Sequence, residues 1–342
     1  MALFGKAPMR GVHTFTVTNV SEALYVVKQA LEADGVEVET RNGKAIEFRE
    51  PCAIVYNSPR ERVLFYPERD ANPIFHFMES LWMLAGRNDL AWIQRYNARM
   101  SEYSDDGKKL QGAYGYRWRN YFYQDQIDVI VHRLMTHTND RRAVLAMWDA
   151  EEDLRMSNSC KDHPCNTHIY FNVRDNILDM TVCNRSNDMI WGALGANAVH
   201  MSILQEYIAS RIGASVGIYT QFSNNLHAYT EVLKKLDGML PDYEAYNTRM
   251  FRPDALVNNI ESFDEELNWF MEDPEKPRPY INSTFSDLAQ PMHKVWQAWK
   301  AKELALAFDH CADIKPDDWH LATWEWLERR REKWQEKATN NT

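Results

Sequence analysis

Two alternating runs over residues 168–173 and 177–182, joined by Asp175-Asn176, constrain this chain most. Their period of two puts successive side chains on opposite faces, and the two linking residues tolerate the left-handed backbone of a tight hairpin turn. A hairpin with one buried face is not stable alone, so the flanking chain must cover it. Just upstream stands a proline-flanked cysteine, Cys165, and just downstream a polar cluster, Arg185-Ser186-Asn187-Asp188. A Gly-Ala-Leu-Gly-Ala-Asn segment then leads into an amphipathic helix over 197–212 that stops at Gly213. A thiol, a guanidinium, a carboxylate and an amide thus fall within about one hairpin of each other.

The rest of the chain alternates helix and strand signals, which gives an α+β class. Ser21 is placed to cap a helix with apolar residues Ala23, Leu24, Val27, Ala30 and Leu31 on one face and Gly35 as its stop. Residues 36–41 and 45–48 read as strands around an Asn42-Gly43 turn, with Arg41 at a strand end. Asn72, Pro73 and Gly86 bound a helix over 72–85 that is apolar nearly all round, the mark of a buried helix. Glu79 lies in the middle of it, and a carboxylate there must be paired or shifted towards its neutral form. Asp125 caps a helix to about residue 137, Arg141-Arg142 precede a strand over 143–148, and residues 216–222 form another.

Beyond about residue 240 proline-bearing loops separate charged helices that hold seven of the 12 tryptophans. The expected organisation is a catalytic core over 1–240 and a helical extension over 241–342 packed upon it, with the charged stretch 325–337 as a solvated helix.

At 342 residues and 45% hydrophobic content the chain can bury a large core. A net charge of −10 argues against a general nucleic-acid coat or an anionic membrane as partner, so any phosphate must meet a local arginine cluster. Five cysteines without framework spacing suit a reducing compartment. No apolar run reaches the length of a membrane span and the first residues lack a signal-peptide core, so a cytoplasmic location is expected, that of the host cell for a phage-encoded chain.

Cys165 admits three readings. Cys160, His163, Cys165 and His168 form C-x2-H-x-C-x2-H, but Pro164 stiffens the middle and the usual zinc pattern pairs two separated knuckles; no metal is expected. A buried inert thiol is the preferred reading for Cys52, Cys183 and Cys311. Cys165, after proline at the mouth of a strand and with arginines expected nearby in the same sheet to favour the thiolate, suits a nucleophile.

Pro164-Cys165, a hairpin, Arg185-Ser186-x-Asp188-x-x-x-Gly192 and Asn197 opening a helix resemble the thymidylate synthase family. Glu79 with Ser80-Leu81-Trp82 resembles its glutamate helix. Gly112-Ala113-Tyr114-Gly115-x-x-Trp118-Arg119, Asp140-Arg141-Arg142 and His227-Ala228-Tyr229 resemble further family blocks in order. The resemblance covers roughly residues 20–235. It implies a large mixed sheet with surrounding helices, dimerising through the sheet face. It also implies transfer of one carbon from 5,10-methylenetetrahydrofolate to C5 of a pyrimidine nucleoside monophosphate.

By the same resemblance Cys165 attacks C6, Glu79 organises water and proton transfers, Tyr114 lies near the thiol, and Asn197 bonds the pyrimidine edge. Arg41, Arg185 and Ser186 bind phosphate, joined by Arg141 and Arg142 from the other subunit of a homodimer. His227 and Tyr229 contact the sugar, and Asp188, Glu79 and Trp82 the folate. Arginine suits phosphate because its planar fork gives paired, charge-assisted bonds.

Departures bear on the product. Asn166 follows the nucleophile where synthases have histidine, loop 99–107 lacks the tryptophan that shields their methylene intermediate, and the Arg185-Ser186-Asn187-Asp188 block resembles phage nucleotide hydroxymethylases. Capture of the methylene by water, giving a 5-hydroxymethyl product on dUMP, is therefore expected. An amide at Asn197 matches uracil but can flip, so dCMP or CMP stays open as substrate, as does a methylated product. An inactive homologue or a zinc-binding module is the non-enzyme alternative.

Overall fold

The computed structural model describes residues 11–155, 160–241, 246 and 252–340. Among the described residues ten strands form two sheets: β1 (His13–Val17), β2 (Val36–Thr40), β3 (Gly43–Glu47), β4 (Cys52–Tyr56), β5 (Val144–Ala146), β6 (Asn166–Arg174), β7 (Ile177–Asn184), β8 (Asn187–Asp188), β9 (Ser215–Ser223) and β10 (Leu226–Tyr229). The larger sheet has the order β1-β4-β9-β7-β6-β5, mixing parallel and antiparallel pairs. The smaller runs β2-β3-β10-β8.

The central hairpin forms as expected: Arg174 pairs with Ile177, and Asp175 and Asn176 both take the left-handed backbone, at φ 51° and 59°. The buried Asn197–Ile212 helix lies against β7 and β9, and its Gln205 side chain donates to the Leu178 and Ile218 carbonyls. The opposite sheet surface leaves Tyr170, Ile177 and Ile218 exposed.

Two local expectations are corrected. Asn19 rather than Ser21 caps the first helix, Val20–Asp34: its Oδ1 accepts from the Glu22 amide while the Glu22 carboxylate reaches back to the Thr18 amide. That reciprocal pairing satisfies two orphan donors, which Ser21, buried inside the first turn, cannot do. The first hairpin turns on Arg41-Asn42, with Thr40 opposite Gly43 at φ 113°, so Arg41 is in the turn itself.

The glutamate helix spans Pro73–Leu84, capped by Asn72 accepting from the Phe75 amide and closed by Gly86 at φ 68°. Asp125 caps Gln126–Thr136 as expected. The chain after residue 252 is helical: Ile260–Glu272, Gln290–Lys300, Leu304–Cys311 and Asp317–Asn340. It shares the core rather than standing apart. Phe77 packs on Trp319 at 5.2 Å between ring centres, and Tyr96 Oη lies 2.6 Å from His293 Nδ1.

The last helix is not simply solvated. Arg329, Arg330 and Lys333 all bond Asp70, at 2.8–3.1 Å. Burial pushes the Asp70 carboxyl up, but the hydrogen bonds and charges of Arg330, Lys333 and Arg329 outweigh it and hold it at about 2.

Candidate active site

Cys165 stands at the entrance of β6. Arg185 Nε donates to the Pro164 carbonyl at 2.9 Å, which brings its Nη2 to 3.8 Å from the Cys165 sulfur. Burial pushes the thiol's pKa up; the Arg185 guanidinium and, more weakly, Arg41 pull it back without cancelling the rise. The thiol therefore rests protonated, with a cation in place to stabilise the anion.

The Cys165 amide donates to Tyr114 Oη at 3.3 Å. Burial, then the neighbouring Cys165, pushes that phenol far above its ordinary range, so it remains a hydroxyl. Two glycines set this geometry. The Gly112 amide donates to Asp162 Oδ2 at 2.7 Å, in the loop leading to Cys165. A Cβ on Gly115 would fall 2.0 Å from the Met83 carbonyl oxygen, so only glycine lets Tyr114 approach the glutamate helix. Arg119 ties the same segment down, donating to the Leu84 carbonyl at 2.6 Å and to Tyr207 Oη at 2.9 Å.

Glu79 looks into a cavity of about 460 Å³ whose walls include Arg69, His76, Met100, Tyr114 and Trp191. Its Oε2 lies 3.1 Å from His200 Nε2, off the axis of a hydrogen bond. Loop 99–107 contributes Met100 and Tyr103 to the wall, and the indole at this cavity is Trp191, on the other side. Arg69 stacks on it at 4.3 Å and bonds the Ile190 carbonyl, while burial lowers the guanidinium to about 10.

The small sheet gathers the remaining candidates. The turn carrying Arg41 docks through Asn42 Nδ2 onto Tyr229 Oη at 3.2 Å. His227 on β10 is in register with Asp188 on β8. Asp188 Oδ1 accepts the amides of Ile190 and Trp191 at 2.8 Å each, capping the wide π-helical turn Met189–Ala196. Burial raises the pKa of Asp188 and lowers that of His227, in each case acting against the charged form. The π-turn delivers Asn197, 8% exposed, with its Nδ2 on Asn187 Oδ1 at 3.2 Å.

The structure thus brings Cys165 to Arg185 and Tyr114, sets Tyr114 and Glu79 on one cavity, and gathers Asp188, His227, Tyr229 and the Arg41 turn on the small sheet, with Ser186 between β7 and β8 and Asn197 on the buried Asn187. Arg141 and Arg142 do not join them. Both are exposed ahead of β5, with Arg142 forked onto Asp140 and Arg141 beside a concavity on the exposed sheet face. Trp82 is buried, its Nε1 on the Asp89 carbonyl, and is not among the cavity's walls. Cys160 donates to Asp105 at 3.0 Å, and among the described residues no three His, Cys, Asp or Glu side chains converge as metal ligands. Cys52 and Cys311 are buried, with pKa values pushed to about 12 by burial; Cys183 is half-buried.

Sequence reasoning missed His76, His200, Arg69 and Trp191. The two histidines carried a signal, since each lies one helical turn from a site residue, Glu79 or Asn197. Arg69 and Trp191 meet only through the tertiary fold.

The model of the family described as thymidylate synthase matches residues 33–264. This chain belongs to the thymidylate synthase family. Within that family it is 44% identical over 330 residues to the deoxyuridylate hydroxymethyltransferase of Pseudomonas phage M6, covering 92% of this chain and 93% of that protein. It is 31% identical over 297 residues to the deoxyuridylate hydroxymethyltransferase of Bacillus phage SP01, covering 82% and 72%. A putative thymidylate synthase of Methanothermobacter thermautotrophicus is 34% identical over 137 residues, covering 40% and 60%. The family segment runs past residue 240. Family members use methylenetetrahydrofolate as co-substrate and bind a nucleoside monophosphate.

Proposed function

We propose that this chain hydroxymethylates dUMP at C5, converting dUMP, 5,10-methylenetetrahydrofolate and water into 5-hydroxymethyl-dUMP and tetrahydrofolate. The observation that carries it is the contact of the Cys165 sulfur with Arg185 and of the Cys165 amide with Tyr114, which shares a cavity with Glu79, in a chain matched over 92% of its length by a deoxyuridylate hydroxymethyltransferase. The walls suit a folate, with a flat indole beneath a guanidinium for an aromatic ring with an anionic tail; Asp188, which caps the turn carrying Trp191, is assigned to its polar edge.

Cys165 attacks C6 of the base, and C5 becomes carbanionic. Arg41, Arg185 and Ser186 hold the phosphate, whose charge those guanidinia neutralise. His227 and Tyr229 face the sugar. The co-substrate supplies a carbon at the oxidation level of formaldehyde. C5 bonds the one-carbon unit, and tetrahydrofolate then leaves with the C5 proton, passed through water beside Tyr114. The exocyclic methylene adds a water that Glu79 orients and deprotonates, and the resulting enolate expels Cys165 from C6 as the thiolate, which recovers that proton. The exposed sheet face, with Tyr170 and Ile218 outward and Arg141 at its edge, supports a homodimer in which Arg141 and Arg142 serve the other subunit's phosphate.

Incubation with dUMP and methylenetetrahydrofolate should give tetrahydrofolate and a nucleotide heavier by CH2O. Dihydrofolate together with dTMP would overturn the reading.

A further inference from the structure

Four buried side chains behind Asn197 form a hydrogen-bonded chain with one polarity. It starts at the Ala193 backbone carbonyl, which can only accept. Gln221 therefore turns its Nε2 towards that oxygen, at 3.2 Å, and towards Tyr219 Oη, at 2.8 Å. Gln221 Oε1 is left as an acceptor and takes a proton from Asn187 Nδ2 at 2.6 Å. The second Nδ2 proton of Asn187 goes to Ser223 Oγ at 3.1 Å, so Asn187 Oδ1 can only accept, and Asn197 Nδ2 donates to it at 3.2 Å. Gln221, Ser223 and Asn187 are at most 2% exposed, so no bulk water competes for these bonds. Gly192 makes room for the contact: a Cβ there would lie 2.7 Å from Asn187 Oδ1.

We infer that Asn187 and Gln221 are positioning residues for base choice, because they fix which way the Asn197 amide faces. The inference rests on the reading that Asn197 bonds the pyrimidine edge. Uracil offers N3–H as donor and O4 as acceptor, whereas cytosine offers N3 as acceptor and its 4-amino group as donor. One amide matches either base by turning over. Turning Asn197 over would set its Oδ1 against Asn187 Oδ1, two acceptors in a buried site, which costs the bond and adds repulsion. Asn187 cannot turn to relieve this, since both its protons are engaged, and Gln221 is held by a backbone oxygen. With dUMP as substrate, the locked polarity is the uracil one. Discrimination against cytosine then extends to residues that never touch the base.

The test compares kcat/KM for dUMP and dCMP in Asn187→Ala, in the near-isosteric Gln221→Met, in the double variant, and in Asn197→Asp. Ser223→Ala, which removes only one anchor, is a milder probe should the others fold poorly. Each relay variant should lower the dUMP-to-dCMP ratio roughly tenfold or more. Ser223→Ala should shift it less in the same direction. The double variant should do no more than the larger single one, because both cut the same chain. Equal loss on both substrates with an unchanged ratio would reduce the relay to a structural role, provided Asn197→Asp does move the ratio. An unmoved ratio in Asn197→Asp would instead overturn the placement of Asn197 at the base.

Discussion

Glu79 Oε2 and His200 Nε2 face each other at 3.1 Å across the packing of two buried helices, so the acid expected to direct water has a fixed companion. Glu79 also keeps 14% of its side chain exposed and lines the cavity, which lets a carboxylate stand on a helix apolar nearly all round. Glu79→Gln should lower turnover by about 10²–10⁴-fold, the usual worth of a general acid–base group. The affinity for dUMP, read by titration calorimetry, should change little. Loss of dUMP affinity in step with turnover would place Glu79 in nucleotide binding instead.

Cys165→Ala should abolish both product formation and tritium release from dUMP labelled at C5, while equilibrium binding of dUMP persists. Residual tritium release would show that another group opens the reaction.

The rate of Cys165 alkylation should have a definite pH dependence. Burial raises the thiol's pKa and Arg185 opposes the rise, so the rate climbs with pH to a midpoint above that of an ordinary cysteine. Arg185→Met removes the opposing charge and should move the midpoint higher, slowing alkylation at neutral pH. A midpoint that fell in this variant would contradict the arrangement.

The homodimer is testable by complementation. Cys165→Ala and Arg142→Ala should each be inactive or strongly impaired alone. If Arg142 serves the neighbouring site, mixed dimers would recover turnover by pairing an intact Cys165 with an intact Arg142 from the other chain. Absence of recovery after subunit exchange would confine each site to one chain.

Asp70→Asn leaves Arg329, Arg330 and Lys333 without their shared acceptor and should cost roughly 1–2 kcal/mol in denaturant unfolding, a modest figure because the cluster is partly exposed. The Asp70 pKa is depressed on folding, so its contribution is present above its ordinary value near 3.8 and disappears as pH falls through about 2. The wild-type advantage over Asp70→Asn should shrink in that window and be flat above it.

Local chemistry was legible where one residue type answers one backbone need. Asp175-Asn176 announced a left-handed turn, Asn72-Pro73 a helix start and Gly213 a helix stop, and all three stand where expected. Ser21 misled because Asn19, two residues earlier, could pair reciprocally with Glu22, which a search for the nearest hydroxyl overlooks. The groups proposed for the site came from family-like blocks that keep their order. What surrounds them did not. Gln221 reaches Asn187 only because β9 lies beside β7, and Asp70 meets the last helix across 259 positions of chain. No spacing rule encodes such meetings, since they depend on which strands and helices become neighbours.

The bare backbone of Gly115 against Met83 has a consequence for how far this site can vary. Met83 lies one turn beyond Glu79 and Gly115 is the next residue after Tyr114, so the gap between carboxylate and phenol is pinned by main chain touching main chain. Side chains around the cavity can be exchanged and larger or smaller substrates accommodated, but that span behaves as a hard ruler. Even one methyl group on residue 115 would pry the two walls apart, which makes it the position where a conservative replacement should be least tolerated.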